Sequence, residues 1–256
     1  MGNVLFEKIE SRALVTLDHP RKLNALDITM LQQLHDIFEQ CDTDSTIRTV
    51  ILTGSGMKAF CSGADINCWS ELSPTEFSRE WILKGHRLFD RIACLGKPTI
   101  AVLNGLALGG GLELAATCDI RIAAPHANLG LPEAQIGVIP GWSGTQRLAR
   151  LIPEPVLKEM VLFGRRISAT RSFEIGFTAE IADDPLARAV EVSQKMDRLS
   201  PQANAISKAM IHAGVGEAGG AMIEAIAGLA IAGTSDMKEG VTAFKEKRDP
   251  NFTTNK

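Results

Sequence analysis

Two glutamates, Glu113 and Glu133, lie in an apolar, glycine-rich stretch of the chain, residues 103–145. Three consecutive glycines, residues 109–111, come just before Glu113, and Leu131-Pro132 comes just before Glu133. Glycine runs allow backbone N–H groups to approach a ligand closely. Two carboxylates can act as acid and base in one reaction when their surroundings move their pKa values apart. The stretch therefore indicates a site that stabilises an oxyanion and transfers protons.

Each of these features also has a purely structural interpretation. The glycines could serve tight packing of a helix on a strand, and Glu113 in a first helical turn could simply complement the helix dipole. Glu133 taken alone could be a surface carboxylate. Gly63-Ala64-Asp65 resembles a second turn that presents amides, in which the Asp65 side chain is expected to act as an N-cap. The pair of glutamates, each beside glycines and apolar residues, favours the functional interpretation.

Several motifs in the sequence resemble known catalytic or ligand-binding patterns but do not match them. The glycine run does not fit the dinucleotide pattern GxGxxG, and no GxxxxGK[ST] phosphate loop occurs. The sequence around Ser143 has the wrong spacing for a GxSxG nucleophile elbow. The five histidines form no HExxH motif, and the five cysteines have neither a CxxC spacing nor an even number. We therefore expect reduced thiols and no metal site.

Alternating strands and helices must position the two glutamates. Short strands at 4–9 and 13–18 form a predicted hairpin, and Asp27 is a predicted N-cap for the helix that follows. Apolar, β-branched runs predict buried strands at 49–53, 98–103 and 119–123. Residues 59–66 are expected to form a strand-end loop that leads into a helix. Residues 73–76 form a capping box that opens a long amphipathic helix. The alternation predicts an α/β fold.

Helical patterns dominate from about residue 153 onwards, at 156–162, 170–175, 185–199, 201–213, 217–232 and 236–246. We place a domain boundary near residue 197, which gives a core over 1–197 and a helical C-terminal region over 198–256. The net charge of −3 favours neither nucleic acid nor an anionic membrane as a partner. No signal peptide or long apolar span is visible, so a cytoplasmic protein is expected.

Several sequence blocks together resemble the crotonase superfamily, the enoyl-CoA hydratase/isomerase family. They occur in order along nearly the whole chain, at 59–66, 104–113 with Cys118-Asp119, Pro132-Glu133 with 136–141, 144–148, 166–169 and 239–248. The resemblance implies a spiral of ββα units with a helical C-terminal oligomerisation region, assembled as homotrimers or as hexamers made of two trimers. It also implies an acyl-CoA thioester as the substrate, with no metal and no cofactor besides the coenzyme A that the substrate carries.

The resemblance also assigns roles to residues. The thioester oxygen would bind the backbone N–H groups of Ala64 and Gly110, while Glu113 activates a water and Glu133 delivers a proton to Cα. The positions expected to contact substrate are Ala25, Ala59, Cys61, Ala64, Asp65, Ile66, Leu108, Gly109, Pro132, Gly141, Trp142, Phe244 and Lys247. Apolar neighbours are expected to raise at least one of the two carboxyl pKa values by desolvation.

Carboxylates at both positions favour an enoyl-CoA hydratase, which adds water reversibly and syn to a trans-2-enoyl-CoA to give a 3-hydroxyacyl-CoA. Isomerases of the family with a single glutamate lack an acid where this chain has Glu113. The alternatives are another crotonase activity, such as double-bond isomerisation or hydration of a branched, aromatic or polar acyl-CoA, and a non-catalytic or RNA-binding scaffold. Some residues depart from the family pattern. Asn67 replaces a frequent lysine, Gly228 replaces an aromatic residue, and Trp142 replaces a small residue where it could shape the acyl pocket.

Overall fold

The computed structural model describes residues 1–217 and 219–252, so Ala218, in the predicted helix 217–232, and the tail 253–256 lie outside the described residues. The chain consists of two compact units, Met1–Pro201 and Gln202–Lys256. The domain boundary predicted near residue 197 stays a prediction. Among the described residues, no helix has the length and apolar character needed to cross a bilayer.

The strands all belong to the first unit. They are β1 (Asn3–Ile9), β2 (Arg12–Asp18), β3 (Thr49–Gly54), β4 (Ala59–Cys61), β5 (Thr99–Leu103), β6 (Leu106–Leu108), β7 (Ile120–Ala123), β8 (Asn128–Gly130), β9 (Arg166–Ser168) and β10 (Glu180–Ile181). They form a six-stranded sheet in the order β1-β2-β3-β5-β7-β10 and a four-stranded sheet in the order β4-β6-β8-β9.

The helices follow the same chain order. They are α1 (Ile28–Thr43), α2 (Pro74–Glu76), α3 (Lys84–Ala93), α4 (Gly110–Thr117), α5 (Gly144–Leu151), α6 (Glu154–Phe163), α7 (Ala169–Glu174), α8 (Pro185–Gln194), α9 (Pro201–Gly214), α10 (Gly219–Ala232) and α11 (Ser235–Glu246). Short 3-10 turns occupy Pro20–Lys22, Ile66–Cys68, Glu133–Ile136 and Lys195–Arg198, and a π-helical turn occupies Phe77–Leu83.

Local sequence signals account for the ends of several elements. The β1–β2 hairpin pairs antiparallel, and the Asp27 carboxylate caps α1 by accepting a hydrogen bond from the amide of Met30 at 2.9 Å. Ser73 and Glu76 form the predicted capping box at the start of α2. Asp65 accepts a hydrogen bond from the amide of Asn67 and caps the 3-10 turn that follows it. These predictions are confirmed because each depends on contacts between residues close in sequence.

The chain crosses both sheets on each turn of its spiral. β3, β5 and β7 lie in the large sheet, and each is followed directly by β4, β6 or β8 in the small sheet, before the chain returns through helical segments. The neighbouring strands of each trio pair in parallel. This arrangement confirms the spiral of ββα units. The expectation of a strand-end loop over 59–66 is wrong for 59–61, because β4 pairs with β6 despite having only three residues.

The predicted long helix after Ser73 differs from the structure at Phe77–Leu83, where the helix widens into a π turn. The indole of Trp142 packs against this segment, and its Nε1–H donates to the carbonyl oxygen of Trp81 at 3.3 Å. A side chain that bonds to a helical carbonyl disturbs the regular ladder of backbone hydrogen bonds. The π turn is therefore explained by the contact with Trp142, which is distant in the sequence.

Candidate active site

The carboxyl ends of three strands of the small sheet meet at one place. Ala64 follows β4, Gly110 follows β6 and Glu133 follows β8. The three strands are parallel neighbours, with β6 between the other two. Segments that leave the same ends of parallel strands lie side by side. Sheet topology thus brings together residues that are about seventy positions apart in the sequence.

Two glycine turns pack backbone against backbone to present a pair of amides. Gly63 has φ +109° and Gly109 has φ +53°, a conformation that favours glycine. A Cβ atom on Gly63 would lie 3.4 Å from the amide nitrogen of Gly110, and one on Gly110 would lie 3.6 Å from that of Ala64. Within residues 1–217 and 219–252, no acceptor takes a hydrogen bond from the Ala64 or Gly110 amide. The two N–H groups are therefore available to one ligand oxygen.

Glu113 lies in the first turn of α4 and is 3% exposed. Its Oε1 accepts hydrogen bonds from the backbone amides of Trp142 at 2.8 Å and Gly144 at 2.7 Å. Burial raises the pKa of Glu113 to about 7, opposed by these two hydrogen bonds and reinforced by the charge of Glu133. The loop before α5 and the first residue of α5 thus orient this carboxylate.

Glu133 begins the 3-10 turn after β8 and lies against the glycine turn. A Cβ atom on Gly109 would lie 3.0 Å from its Oε1. Its Oε2 is buried and has no hydrogen-bond partner in the described part of the chain. Burial raises the pKa of Glu133 to about 7. The expected rise in a carboxyl pKa is therefore confirmed for both glutamates, with desolvation as the main cause.

Both carboxylates and the amide-bearing turns line one cavity of about 260 Å³. Its walls are mainly apolar, because Trp69, Phe77, Trp81, Ile82, Ile136, Val138, Ile139 and Trp142 contribute to them. Such surroundings strengthen hydrogen bonds and charge interactions by excluding water. The cavity can therefore hold a small apolar group beside an oxyanion site and two proton-transfer groups.

The structure places nine of the predicted site residues on this cavity. They are Ala64, Ile66, Gly109, Gly110, Glu113, Pro132, Glu133, Gly141 and Trp142.

Five other predicted contact residues of the first unit do not line it. Ala25 is buried next to Leu26, which bridges to Ala64, while Ala59 borders a separate pocket. Leu108 ends β6, and Asp65 accepts a hydrogen bond from Lys22. Cys61 packs under α4, where burial raises the pKa of its thiol to about 12 and disfavours a thiolate. As substrate contacts, these five residues stay predictions.

Phe244 and Lys247 belong to the second unit. Phe244 lies in α11 and is 85% exposed, and Lys247 ends that helix in a left-handed conformation. Their contacts with a nucleotide also stay predictions.

Several residues that shape the cavity were not predicted from the sequence. Phe77 and Trp81 were expected only as part of an amphipathic helix face, Arg166 was noted only within a sequence block, and Trp69 and Ile82 were not considered. All five line the cavity. Gly144 was noted only within a sequence block, yet its amide holds Glu113. The one available signal was the presence of three tryptophans, at 69, 81 and 142, because large aromatic residues often line ligand pockets.

The raised pKa of Glu113 predicts a pH-dependent change in stability for Glu113→Gln. The folded state holds this proton between the ordinary pKa of 4.5 and about 7. The stabilisation by protonated Glu113 is therefore present below pH 4.5 and is lost as the pH rises through about 7. We expect the variant to gain on the order of 3 kcal/mol over wild type at pH 9 and to match it near pH 5. Denaturant unfolding at both pH values measures this, and equal stabilities at pH 9 would contradict it.

Comparisons with known proteins agree with this geometry. Residues 7–255 match the sequence profile described as enoyl-CoA hydratase/isomerase. The chain is 37% identical to the short-chain-enoyl-CoA hydratase of Clostridium acetobutylicum, over 97% of this chain and 96% of that protein. It is 39% identical to the crotonyl-CoA hydratase of Syntrophomonas wolfei, over 98% and 97%.

A solved structure gives the same result for the fold. The crystal structure of an enoyl-CoA hydratase from Bacillus anthracis superposes with a TM-score of 0.80 at 35% identity, over 99% of this chain and all of that one. Similarity of sequence and of structure therefore extends over almost the whole length of each relative. On these grounds the chain belongs to the enoyl-CoA hydratase/isomerase family.

Proposed function

We propose that this chain is an enoyl-CoA hydratase that adds water reversibly and syn to a trans-2-enoyl-CoA thioester, giving a 3-hydroxyacyl-CoA. The observation that carries the proposal is the placement of two buried carboxyls, Glu113 and Glu133, in one apolar cavity beside the unbonded amides of Ala64 and Gly110. Hydration needs both a base for water and an acid for Cα, whereas a double-bond shift needs only one group to carry the proton. Two carboxyls therefore favour hydration.

The amide pair supplies the electrostatic part of the reaction. Attack at Cβ of a conjugated thioester moves negative charge onto the carbonyl oxygen, which becomes an enolate oxygen. The N–H groups of Ala64 and Gly110 are fixed by glycine turns before substrate arrives, so they stabilise this charge without reorganising. The apolar walls of the cavity make the interaction stronger than it would be in water.

The surroundings of the two carboxyls support the roles proposed for them. Two backbone amides donate to Glu113, which favours its ionised form and suits it to accept a proton from water. No group in the described residues hydrogen-bonds to Oε2 of Glu133, which favours the protonated form. As water oxygen bonds to Cβ, the water proton passes to Glu113 and the Glu133 proton passes to Cα. A proton returned from Glu113 to Glu133 through the next water restores the starting state.

Coenzyme A enters this reaction only as part of the substrate. Addition of water is redox-neutral, and protein groups supply both the proton transfers and the charge stabilisation, so the proposal needs no metal and no further cofactor. The acyl-CoA thioester is the partner, and neither nucleic acid nor a membrane is required. Phe244 and Lys247 are proposed to approach the nucleotide end of the substrate, and the reaction is proposed to take place in the cytoplasm.

We also propose that the protein acts as a homotrimer or a hexamer. Exposed apolar residues in the second unit support this, since Leu229 and Ile231 of α10 are each 54% exposed. Apolar surfaces of this kind are commonly covered by another subunit. Light scattering coupled to size exclusion distinguishes a trimer from a hexamer and from a monomer, and a monomer would contradict the proposal.

Loss of the conjugated enoyl-thioester absorbance tests the activity directly. Crotonyl-CoA is the first substrate, and mass spectrometry of the product should show one added water. We expect turnover with a product that equilibrates from either direction. A folded protein that binds coenzyme A thioesters without adding water to crotonyl-CoA or to longer, branched or aromatic 2-enoyl thioesters would overturn the proposed function.

A further inference from the structure

We propose that the side chains of Trp81 and Trp142 form a partition that limits this enzyme to short, crotonyl-sized acyl groups. This inference rests on the proposed hydratase function and assigns its substrate class. The partition separates the catalytic cavity from a second cavity. Gly85 has no side chain, which leaves the space in which the Trp142 indole lies. Removing either indole should join the cavities and admit longer acyl chains.

Trp142 is fixed on several sides. Its indole is 2% exposed, lies edge-on to Phe89 with ring centroids 5.0 Å apart, and meets the Trp81 ring at 5.2 Å. Its Nε1–H donates to the Trp81 carbonyl oxygen. A ring held by one hydrogen bond and two aromatic contacts is a stable wall rather than a mobile side chain.

Two glycines lie in close contact with the Trp142 indole. A Cβ atom on Gly85 would lie 2.2 Å from Nε1 of Trp142, and one on Gly110 would lie 2.8 Å from Cζ3 of the same ring. Any larger residue at Gly85 would therefore displace the indole. Because Cζ3 lies against Gly110, the ring forms a wall next to the amide pair, close to where the acyl group of a bound thioester must begin.

A second cavity lies behind this wall. It measures about 690 Å³ and has an apolar part and a polar part. The apolar part includes Leu31, Leu72 and Leu88, and the polar part is lined by Gln32, His35, Glu80, Lys84, Arg87 and Arg91. Trp81 lines both cavities, and Gly85, which contacts Trp142, lines the second. The barrier between the two spaces is therefore made of the Trp81 and Trp142 side chains and the π-helical turn that carries Trp81.

The sizes of the two spaces determine the substrate class. The catalytic cavity of about 260 Å³ must also contain the reacting carbons and a water, which leaves room for only a short acyl chain. Each further methylene that finds an apolar space favours binding by about fourfold, equivalent to ~0.8 kcal/mol. With the partition intact, a longer chain does not reach such a space, and without it the apolar part of the second cavity supplies one.

The test compares hydration of crotonyl-CoA and trans-2-octenoyl-CoA by wild type, Trp142→Ala and Trp81→Ala. We expect wild type to prefer the crotonyl substrate in kcat/KM. Each alanine variant should shift the octenoyl-to-crotonyl ratio by at least about tenfold toward the longer chain. Trp142→Phe keeps a smaller aromatic ring in the partition and loses the indole N–H, so its ratio should lie between those of wild type and Trp142→Ala.

Gly85→Ala provides an independent measurement. In wild type the added methyl overlaps the indole, so the melting temperature should fall. In a Trp142→Ala background the same methyl has space, so the melting temperature should change little, and this non-additivity reports direct contact.

Failure of this inference is distinguishable from failure of the hydratase proposal. Wild type that hydrates both substrates equally well would overturn the partition while supporting hydratase function. An unchanged ratio in either alanine variant, with crotonyl turnover retained, would do the same. No hydration of any thioester by wild type would overturn the proposed function and the substrate class that rests on it.

Discussion

Glu113→Gln and Glu133→Gln should each lower kcat for crotonyl-CoA hydration by about 10³-fold, within the 10²–10⁴ range typical of a lost general acid or base. Glutamine has nearly the same shape as glutamate and keeps a carbonyl oxygen, so at Glu113 it can still accept hydrogen bonds from the Trp142 and Gly144 amides. It cannot take a proton from water or deliver one to Cα. The loss should therefore lie in kcat, with only a small change in KM.

Steady-state kinetics of both single variants and of the double variant measure this effect. Because the two carboxyls act in one step, the double variant should be little slower than the slower single variant. Glu174→Gln is the matched control, since Glu174 is an exposed glutamate at the end of α7. Retention of more than about a tenth of wild-type kcat by either single variant would rule out its assigned proton transfer.

The pH dependence of the wild-type rate adds a second measurement. The pKa values of both carboxyls are raised to about 7, mainly by burial. One must be ionised and the other protonated, so kcat/KM should pass through a maximum near neutral pH and fall on both sides. A rate that is flat from pH 5 to pH 9 would contradict proton transfer by this pair.

Gly110→Ala should lower kcat/KM by about 10²–10³-fold, the loss associated with one oxyanion-stabilising donor. The new methyl would lie 3.6 Å from the amide nitrogen of Ala64, so we expect it to crowd an oxygen bound to both amides. It would also press on Trp142, whose Cζ3 would be 2.8 Å away. The substitution thus crowds both the oxyanion site and the indole.

Two further variants separate these causes. In a Trp142→Ala background the overlap with the indole is absent, so Gly110→Ala should change the melting temperature little there but should still lower the rate. Gly214→Ala is the control for glycine replacement as such, because a methyl there meets nothing within 4 Å. Full recovery of the rate in the Gly110→Ala, Trp142→Ala double variant would show that crowding, and not the amide pair, explains the loss.

The sequence by itself determined the elements whose signals are local. The hairpin at the N-terminus, the Asp27 cap and the capping box at Ser73 depend on residues within a few positions of one another. The two glutamates could also be found from sequence, because carboxylates within an apolar, glycine-rich stretch are unusual and match a family pattern. Residue types and hydrogen bonds between near neighbours in the sequence can be predicted without knowledge of the fold.

Tertiary structure decided how these parts meet. β4, β6 and β8 have three residues each, too few to show a periodic pattern, and they are strands only because they pair in parallel with one another. That pairing brings Ala64, Gly110 and Glu133 to one edge. The hydrogen bond from Gly144 to Glu113 and the fit of Trp142 against Gly85 join residues 31 and 57 positions apart. Such contacts depend on packing between distant segments, which no local signal in the sequence specifies.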